Sequence, residues 1–229
     1  DWTMPFLELE AQAALAIKTD GSRVYYNKNI EARRPVASLT KLMTAIVVLE
    51  NQPVAGDLDK IITISAKAVT REGSQGDLRP LEKITVRSLL SIMLIDSSND
   101  AAFALAGQRR DFILLMNKKA KELGLNNTHF SNPDGLDEPG NYSSALDIAK
   151  IFSYLINNRP EAFEILKTKN MVVYSSDGRI EHRLINTNEL LGKVNEVIAG
   201  KTGYTDEAGG SLILLIDNDI ITVVLGSPD

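Results

Sequence analysis

Residues 38–49 read Ser-Leu-Thr-Lys-Leu-Met-Thr-Ala-Ile-Val-Val-Leu. Four apolar residues in this stretch recur at the spacing of a helix that buries one face: Leu42, Ala45, Ile46 and Leu49. At the start of such a helix, side chains three positions apart lie on the same face, so Lys41 is expected beside Ser38. The stretch therefore predicts a buried helix that carries a serine and a lysine side by side.

Further helices and strands are predicted on both sides of this helix. Apolar spacing and capping residues predict helices over residues 86–94, 111–123 and 144–157. Alternating or turn-bounded segments predict strands over residues 13–18, 24–26, 171–174, 179–185, 196–199, 212–216 and 220–225. The prediction is an α+β fold and a single domain over residues 1–229. Residues 12–27 and 196–226 share one antiparallel sheet, and residues 38–168 form a central helical region.

The composition excludes several classes of protein. Hydrophobic residues make up 44% of the 229 residues and charged residues 24%, which is typical of a globular chain. A net charge of −5 gives no basic surface for nucleic acid. No apolar run approaches the ~20 residues of a membrane span. Without cysteine, disulfides, thiolate metal sites and a cysteine nucleophile are impossible.

Common cofactor and metal motifs do not occur in the sequence. It contains no P-loop, no Gly-x-Gly-x-x-Gly and no His-Glu-x-x-His, so we expect neither a metal nor a cofactor. There are two histidines, His129 and His182, and no Gly-x-Ser-x-Gly motif accompanies them. A histidine-based catalytic triad is therefore disfavoured, and both histidines are expected to be structural or exposed.

Three short motifs remain, and each occurs once. They are Ser-x-x-Lys at Ser38 and Lys41, Ser-x-Asn at Ser97 and Asn99, and Lys-Thr-Gly at residues 201–203. The first is predicted to open a helix, the second to lie in the loop after a helix, and the third to end a strand before the final hairpin. Their order and placement indicate a common site more strongly than any one motif does alone.

The first motif suits nucleophilic catalysis. A serine becomes a nucleophile when a base takes its proton, and Lys41 can be that base for Ser38 if its pKa is lowered. Burial under the helix and a nearby second cation, for which Lys201 is the candidate, would both lower this pKa. The N–H groups at the helix start suit an oxyanion. The alternative is that Ser38 only caps the helix.

The other two motifs suit the rest of such a reaction. Ser97 is a candidate proton relay to the leaving group, and Asn99 is a candidate to hold a substrate amide or to position Lys41. Lys201 and Thr202 offer a cation and a hydroxyl to a substrate carboxylate, and Gly203 would let a substrate backbone approach the strand edge. The alternatives are capping of a helix that begins near residue 100, and an ordinary Lys-Thr-Gly turn.

With these motifs in place, the chain resembles the serine D-alanyl-D-alanine carboxypeptidases, the low-molecular-mass penicillin-binding proteins. The resemblance extends over nearly the whole chain and includes the runs at residues 37–45, 97–102, 116–117, 123–124, 127–130, 132–137, 142–145, 186–188, 200–205 and 208–209. Two positions differ from the family pattern. Ser98 stands where the family more often has glycine, and Thr187 stands where some members have an arginine that binds a carboxylate.

The resemblance implies a β-lactamase/transpeptidase-like fold and removal of the terminal D-alanine from peptidoglycan stem peptides through an acyl-enzyme on Ser38. It implies Lys41 as general base, Ser97 and Asn99 as the second edge of the site, and Lys201 with Thr202 as the carboxylate-binding strand. The oxyanion hole would be the N–H groups of Ser38 and Tyr204. The resemblance further implies acylation by β-lactams and an extracytoplasmic location. A signal peptide, an anchor, a closing helix and a second domain are expected to be absent from this chain.

Two rival functions stay open. A β-lactamase of the same fold would need a glutamate that activates water, and the Glu-x-x-x-Asn pattern of such enzymes is one residue short at residues 138–141. A non-catalytic module that binds peptidoglycan or penicillin would keep the fold without the reaction. The glycine-containing loop at residues 73–77 is expected either near the cleft or on the plain surface.

Overall fold

The computed structural model describes residues 8–51, 57–107 and 109–228. Residues 1–7 and residue 229 lie outside these ranges. The expectation that no signal peptide opens the chain therefore falls outside the described residues. In chain order the elements are β1 (Ala13–Lys18), β2 (Val24–Lys28), a 3₁₀ helix (Ala37–Leu39), α1 (Thr40–Asn51), β3 (Ile61–Thr63), α2 (Ala66–Val69), β4 (Lys83–Thr85), α3 (Val86–Ile95), α4 (Asn99–Ala106), α5 (Phe112–Glu122), α6 (Ala145–Asn158), α7 (Pro160–Leu166), β5 (Asn170–Tyr174), β6 (Glu181–Ile185), β7 (Val197–Thr205), β8 (Gly209–Ile216) and β9 (Ile220–Ser227).

Strands from both ends of the chain form one five-stranded sheet. Its order is β2-β1-β9-β8-β7, and each strand is antiparallel to its neighbours. The first and last strands pair directly, from Ala13 opposite Leu225 to Lys18 opposite Ile220. The predicted α+β fold with an antiparallel sheet from both termini is confirmed. That residues 1–229 form a single domain stays a prediction.

Two hairpin turns of this sheet, between β1 and β2 and between β8 and β9, contain residues with a left-handed backbone. Gly21 adopts a φ of +76° between β1 and β2. Asp217 and Asn218 adopt φ values of +49° and +58° between β8 and β9. Two successive left-handed residues match the right-handed twist of the paired strands, which is why Asp and Asn are favoured there. These turns fix the register of the strand pairs.

The helices cover one face of the sheet around a shared core. Every residue of α1 from Thr40 to Leu49 is buried. The apolar stripe predicted burial of one face only, so the helix is buried on more sides than expected. Helix α3 is capped by Thr85, as predicted, and α6 by Ser144. The main apolar cluster joins residues of α1, α3 and α6 to residues of β1, β8 and β9. The helix that carries Lys41 therefore lies in the centre of the molecule.

Several boundaries differ from the sequence prediction. Strand β7 extends to Thr205, so Lys-Thr-Gly lies inside a strand instead of at its end. Pro160 begins α7 at the first helical position, where proline has no N–H bond to lose. Strands β3 and β4 contain three residues each, too few for a periodic pattern. Among the described helices, none is both long and apolar enough to cross a bilayer.

Candidate active site

The turn that carries Ser38 is held by two glycines from distant segments. A Cβ on Gly135 would lie 1.9 Å from the carbonyl oxygen of Ala37, and one on Gly203 would lie 2.9 Å from the nitrogen of Ser38. Ala37 itself has a φ of +46°. Gly203 was expected to admit a substrate backbone, and the structure shows a more direct requirement: a side chain there would displace the 3₁₀ helix.

Ser38 does not act as a helix cap. The residue that precedes the 3₁₀ helix is Val36, and it makes no side-chain capping bond. Ser38 is half-buried and lies at the wall of a cleft. Its hydroxyl lies 2.7 Å from Lys41 Nζ, as the three-residue spacing predicts. The hydroxyl is thus available for chemistry instead of being occupied by backbone N–H groups.

Lys41 is fully buried and its amine has three hydrogen-bond partners. Nζ lies 2.7 Å from each of Ser38 Oγ, Asn99 Oδ1 and the carbonyl oxygen of Asp134. Burial lowers the pKa of Lys41 to about 7, while the negative charges of Asp134 and Asp100 act in the opposite direction. A substantial fraction of this amine is therefore neutral near physiological pH.

The three partners define where the proton of Ser38 goes. A neutral amine has two N–H groups and one lone pair. The oxygens of Asn99 and Asp134 can accept hydrogen bonds but cannot donate them, so they take the two N–H groups. The lone pair then faces Ser38 Oγ, which does carry a hydrogen. In this arrangement Lys41 is placed to act as a general base for Ser38.

Hydrogen bonds at both the oxygen and the nitrogen of its side-chain amide fix the orientation of Asn99. Its Nδ2 donates to the carbonyl oxygen of Glu72 at 2.8 Å, which leaves Oδ1 to accept from Lys41. Gly73 permits this contact, because a Cβ there would lie 2.6 Å from Asn99 Nδ2. Ser98 accepts from Ala101 N and caps α4, which is the ordinary capping considered from the sequence. Of the two suggested tasks for Asn99, positioning Lys41 is the one that this geometry supports.

A second serine–lysine pair lies close to the first. Lys201 Nζ donates to Ser97 Oγ at 2.7 Å and to the carbonyl oxygen of Thr202 at 3.0 Å. Burial lowers the pKa of Lys201 well below its usual value, the charge of Lys41 lowers it further, and Asp96 opposes both. The lysine–lysine repulsion expected from the sequence is present between these two amines, and it contributes to the low pKa of Lys201.

A cleft of about 580 Å³ opens above Ser38 and Asn99. Its other walls are residues 71–74, 134–138 and 204–206, so the loop that contains Gly73 reaches the cleft. Tyr204 is 55% exposed at this end of β7. Inside the strand, Thr202 Oγ1 donates to Thr187 Oγ1 at 2.7 Å, at the position where some relatives were expected to have arginine.

Neither histidine lines this cleft. His129 is exposed, and its Nδ1 lies 2.6 Å from the carbonyl oxygen of Gly140. His182 is buried between Glu82 Oε1, at 2.7 Å from Nε2, and the carbonyl oxygen of Gly76, at 3.0 Å from Nδ1. Within residues 8–51, 57–107 and 109–228, no group of three or more His, Asp or Glu residues is placed to hold a metal.

Two residues at this site were not found by motif analysis. Asp134 supplies the third partner of Lys41, and Arg71 forms an ion pair with the Asp134 carboxylate. Asp134 belongs to the run 132–137, which was noted as part of the resemblance. That signal identified the segment but gave no chemical task to either side chain.

Comparison with known proteins identifies relatives of this chain. A family model described as D-alanyl-D-alanine carboxypeptidase matches residues 2–229. D-alanyl-D-alanine carboxypeptidase DacF of Bacillus subtilis is 39% identical over 87% of this chain and 52% of its own length. DacC of Escherichia coli is 35% identical over 96% and 57%. The chain thus spans little more than half the length of these relatives.

A similar fold is found among solved structures. A mutant of a Streptomyces DD-transpeptidase superposes with a TM-score of 0.90 at 32% identity. The superposition covers 97% of this chain and 93% of that one. The agreement includes both the sheet and the helices, so the transpeptidase-like fold expected from the resemblance is confirmed.

Proposed function

The chain belongs to the D-alanyl-D-alanine carboxypeptidase family, and from this premise and its cleft we propose that it is a serine carboxypeptidase that removes the terminal D-alanine from peptidoglycan stem peptides. The observation that carries the proposal is the buried amine of Lys41, whose Nζ lies 2.7 Å from Ser38 Oγ. A nucleophile with its base in place, at the wall of an open cleft, is what acyl transfer requires.

In the first step Ser38 Oγ attacks the carbonyl carbon of the D-alanyl-D-alanine amide while Lys41 takes the hydroxyl proton. The N–H groups of Ser38 and Tyr204 stabilise the oxyanion of the tetrahedral intermediate. Lys201 and Thr202 bind the terminal carboxylate of the substrate. These assignments are supported by the position of β7 directly against the 3₁₀ helix.

In the second step the C–N bond breaks and the leaving nitrogen takes a proton that Ser97 relays, so D-alanine departs as the free amino acid. An ester on Ser38 remains. Water then attacks this ester: its proton passes through Ser97 to the neutral Lys201, and the proton held by Lys41 returns to Ser38 Oγ. The shortened peptide is released and both lysines regain their starting protonation. The 2.7 Å bond between Ser97 and Lys201 supports the relay, because Lys201 can replace the proton that Ser97 gives away.

The same site would react with β-lactams, since their strained amide would be attacked by Ser38 in the same way. We place the protein outside the cytoplasmic membrane, where the peptidoglycan stem peptides are found. The proposed partners are therefore the stem peptide as substrate and β-lactams as covalent inhibitors, with no nucleic acid, metal or cofactor. Membership of a family of cell-wall enzymes supports this placement.

The test measures D-alanine release and covalent penicillin binding on the same preparation of the protein. Incubation with diacetyl-lysyl-D-alanyl-D-alanine should release D-alanine, and incubation with a penicillin should give one covalent adduct on Ser38 by mass spectrometry. Ser38→Ala should give neither product. Many turnovers per second on a chromogenic cephalosporin would instead indicate a β-lactamase. Absence of both the adduct and D-alanine release would indicate a non-catalytic binding module.

A further inference from the structure

An ion pair lies directly behind the catalytic lysine. The Asp134 carboxylate is fully buried and accepts from Arg71 Nε at 2.5 Å and from Nη2 at 3.2 Å. The Arg71 guanidinium also lies 5.3 Å from the ring centre of Phe103 in α4, which fixes its orientation. A bidentate contact of this kind fixes both the distance between the guanidinium and the carboxylate and the plane that they share.

Asp134 contacts Lys41 through its main chain as well. Its carbonyl oxygen accepts from Lys41 Nζ at 2.7 Å. The preceding carbonyl, of Pro133, accepts from Thr44 Oγ1 at 2.6 Å, so this segment is attached to α1 at two successive residues. The Asp134 side chain is therefore held at a fixed position relative to the amine.

Charged groups around Lys41 affect whether its amine is protonated. Asp134 and Asp100 favour the ammonium form and so raise the pKa of Lys41 against the effect of burial. Lys201 is the nearby cation, and it faces Asp96. Asp100 accepts from the backbone N–H groups of Gly76 at 3.0 Å and Ala101 at 2.8 Å. Asp134 is the carboxylate of this set that is paired with an arginine.

We propose that Arg71 and Asp134 are positioning residues that set the pH at which Lys41 becomes a base. Asp134 holds the amine with its carbonyl, and its carboxylate favours the charged amine. Arg71 partly offsets that carboxylate charge, so that Lys41 can lose its proton near neutral pH. The inference rests on the proposed function only in taking Lys41 as the base for Ser38.

The pair gives two substitutions with opposite expected effects. Arg71→Gln leaves the Asp134 charge uncancelled, so the midpoint of the acylation rate against pH should move up by about one unit. Asp134→Asn removes that charge and leaves Arg71 as an extra cation, so the midpoint should move down by a similar amount. The double variant carries neither charge and should return close to the wild-type midpoint.

The experiment measures the second-order rate constant for acylation by a penicillin from pH 5 to pH 9. Arg71→Lys keeps the charge and should keep the wild-type midpoint even if the rate falls. Arg87→Gln, at the exposed ion pair with Asp59, is the matched control and should change nothing. Circular dichroism confirms that each variant is folded.

Several outcomes overturn the inference. They are an unmoved midpoint in both single variants, shifts in the same direction, or a double variant that does not return towards wild type. A merely structural role would lower the rate without moving the midpoint in opposite directions. If Arg71→Gln does not fold, the downward shift in Asp134→Asn and its reversal in the double variant are each required. Absence of acylation in the wild-type protein would instead refute the proposed function.

Discussion

Two serine–lysine pairs with the same 2.7 Å hydrogen bond lie in this molecule, and they are built differently. Ser38 and Lys41 are three residues apart, whereas Ser97 and Lys201 are 104 residues apart. Ser38 is half-buried at the cleft, and Ser97 is 5% exposed. The same contact thus comes once from helix geometry and once from the packing of β7 against the start of α4.

The difference lies in access and in the remaining partners. Lys41 has two further acceptors that cannot donate, so its lone pair is directed at an accessible hydroxyl. Lys201 donates its other hydrogen bond to the carbonyl of the next residue. The position of the strained residue also differs. In the first pair the left-handed φ belongs to Ala37, the residue before Ser38, whereas in the second pair it belongs to Ser97 itself. Proximity of serine and lysine alone therefore does not identify a nucleophile.

The largest expected contrast is between the two serines. Ser38→Ala should abolish the penicillin adduct, because the bond-forming oxygen is lost. Ser97→Ala should slow acylation by about 10²–10³-fold and still give an adduct on Ser38, since proton relay contributes on this scale. Mass spectrometry with peptide mapping measures both. An adduct on Ser97, or on any residue of Ser38→Ala, would contradict the assignment.

The next contrast concerns protonation of Lys41. Its pKa of about 7 predicts that acylation falls about tenfold per pH unit below this value and reaches a plateau above it, because the neutral amine is the active form. At pH 5 the rate should be about a hundredfold below the plateau. Stopped-flow measurement with a fluorescent penicillin checks this. A rate that falls as pH rises from 6 to 8 would exclude Lys41 as the base.

A smaller effect is expected from the support of the Ser38 turn. Gly135→Ala combines a φ of +89° with a Cβ 1.9 Å from the Ala37 carbonyl, so we expect about 3 kcal/mol of destabilisation and slower acylation. Gly178→Ala has a similar φ of +73° and no atom within 4 Å, so it should cost about 1 kcal/mol. Urea unfolding measures the difference. Equal losses would show that the close approach to Ala37 is unimportant.

The smallest effect on acylation is expected from the histidines. His182→Gln should lower the free energy of unfolding by about 2 kcal/mol, because it disturbs two buried hydrogen bonds, and the folded protein should still acylate at the wild-type rate. His129→Gln should change stability by less than about 0.5 kcal/mol. Loss of acylation in either folded variant would contradict a lysine-based mechanism.

The contacts that sequence predicts well are local. The spacing of Ser38 and Lys41, the cap at Thr85 and the two hairpin turns depend on neighbouring residues, and all are present. The motifs predicted that Lys201 lies at the same site as Ser38 and Lys41. Its hydrogen bond to Ser97 was not predicted, since the residues themselves carry no sign of their pairing. Arg71 and Asp134 were missed because a contact across 63 residues leaves no periodic pattern.

The order of the sheet also has a consequence for synthesis of the chain. Strand β9 lies between β1 and β8, so the N-terminal hairpin cannot join the rest of the sheet until the last strand has left the ribosome. Pairings of such large sequence separation form slowly. Helix α1 and the Ser38 turn are synthesised early, whereas β7, β8 and β9 are synthesised late. The nascent chain therefore contains Ser38 long before the sheet that flanks it can form.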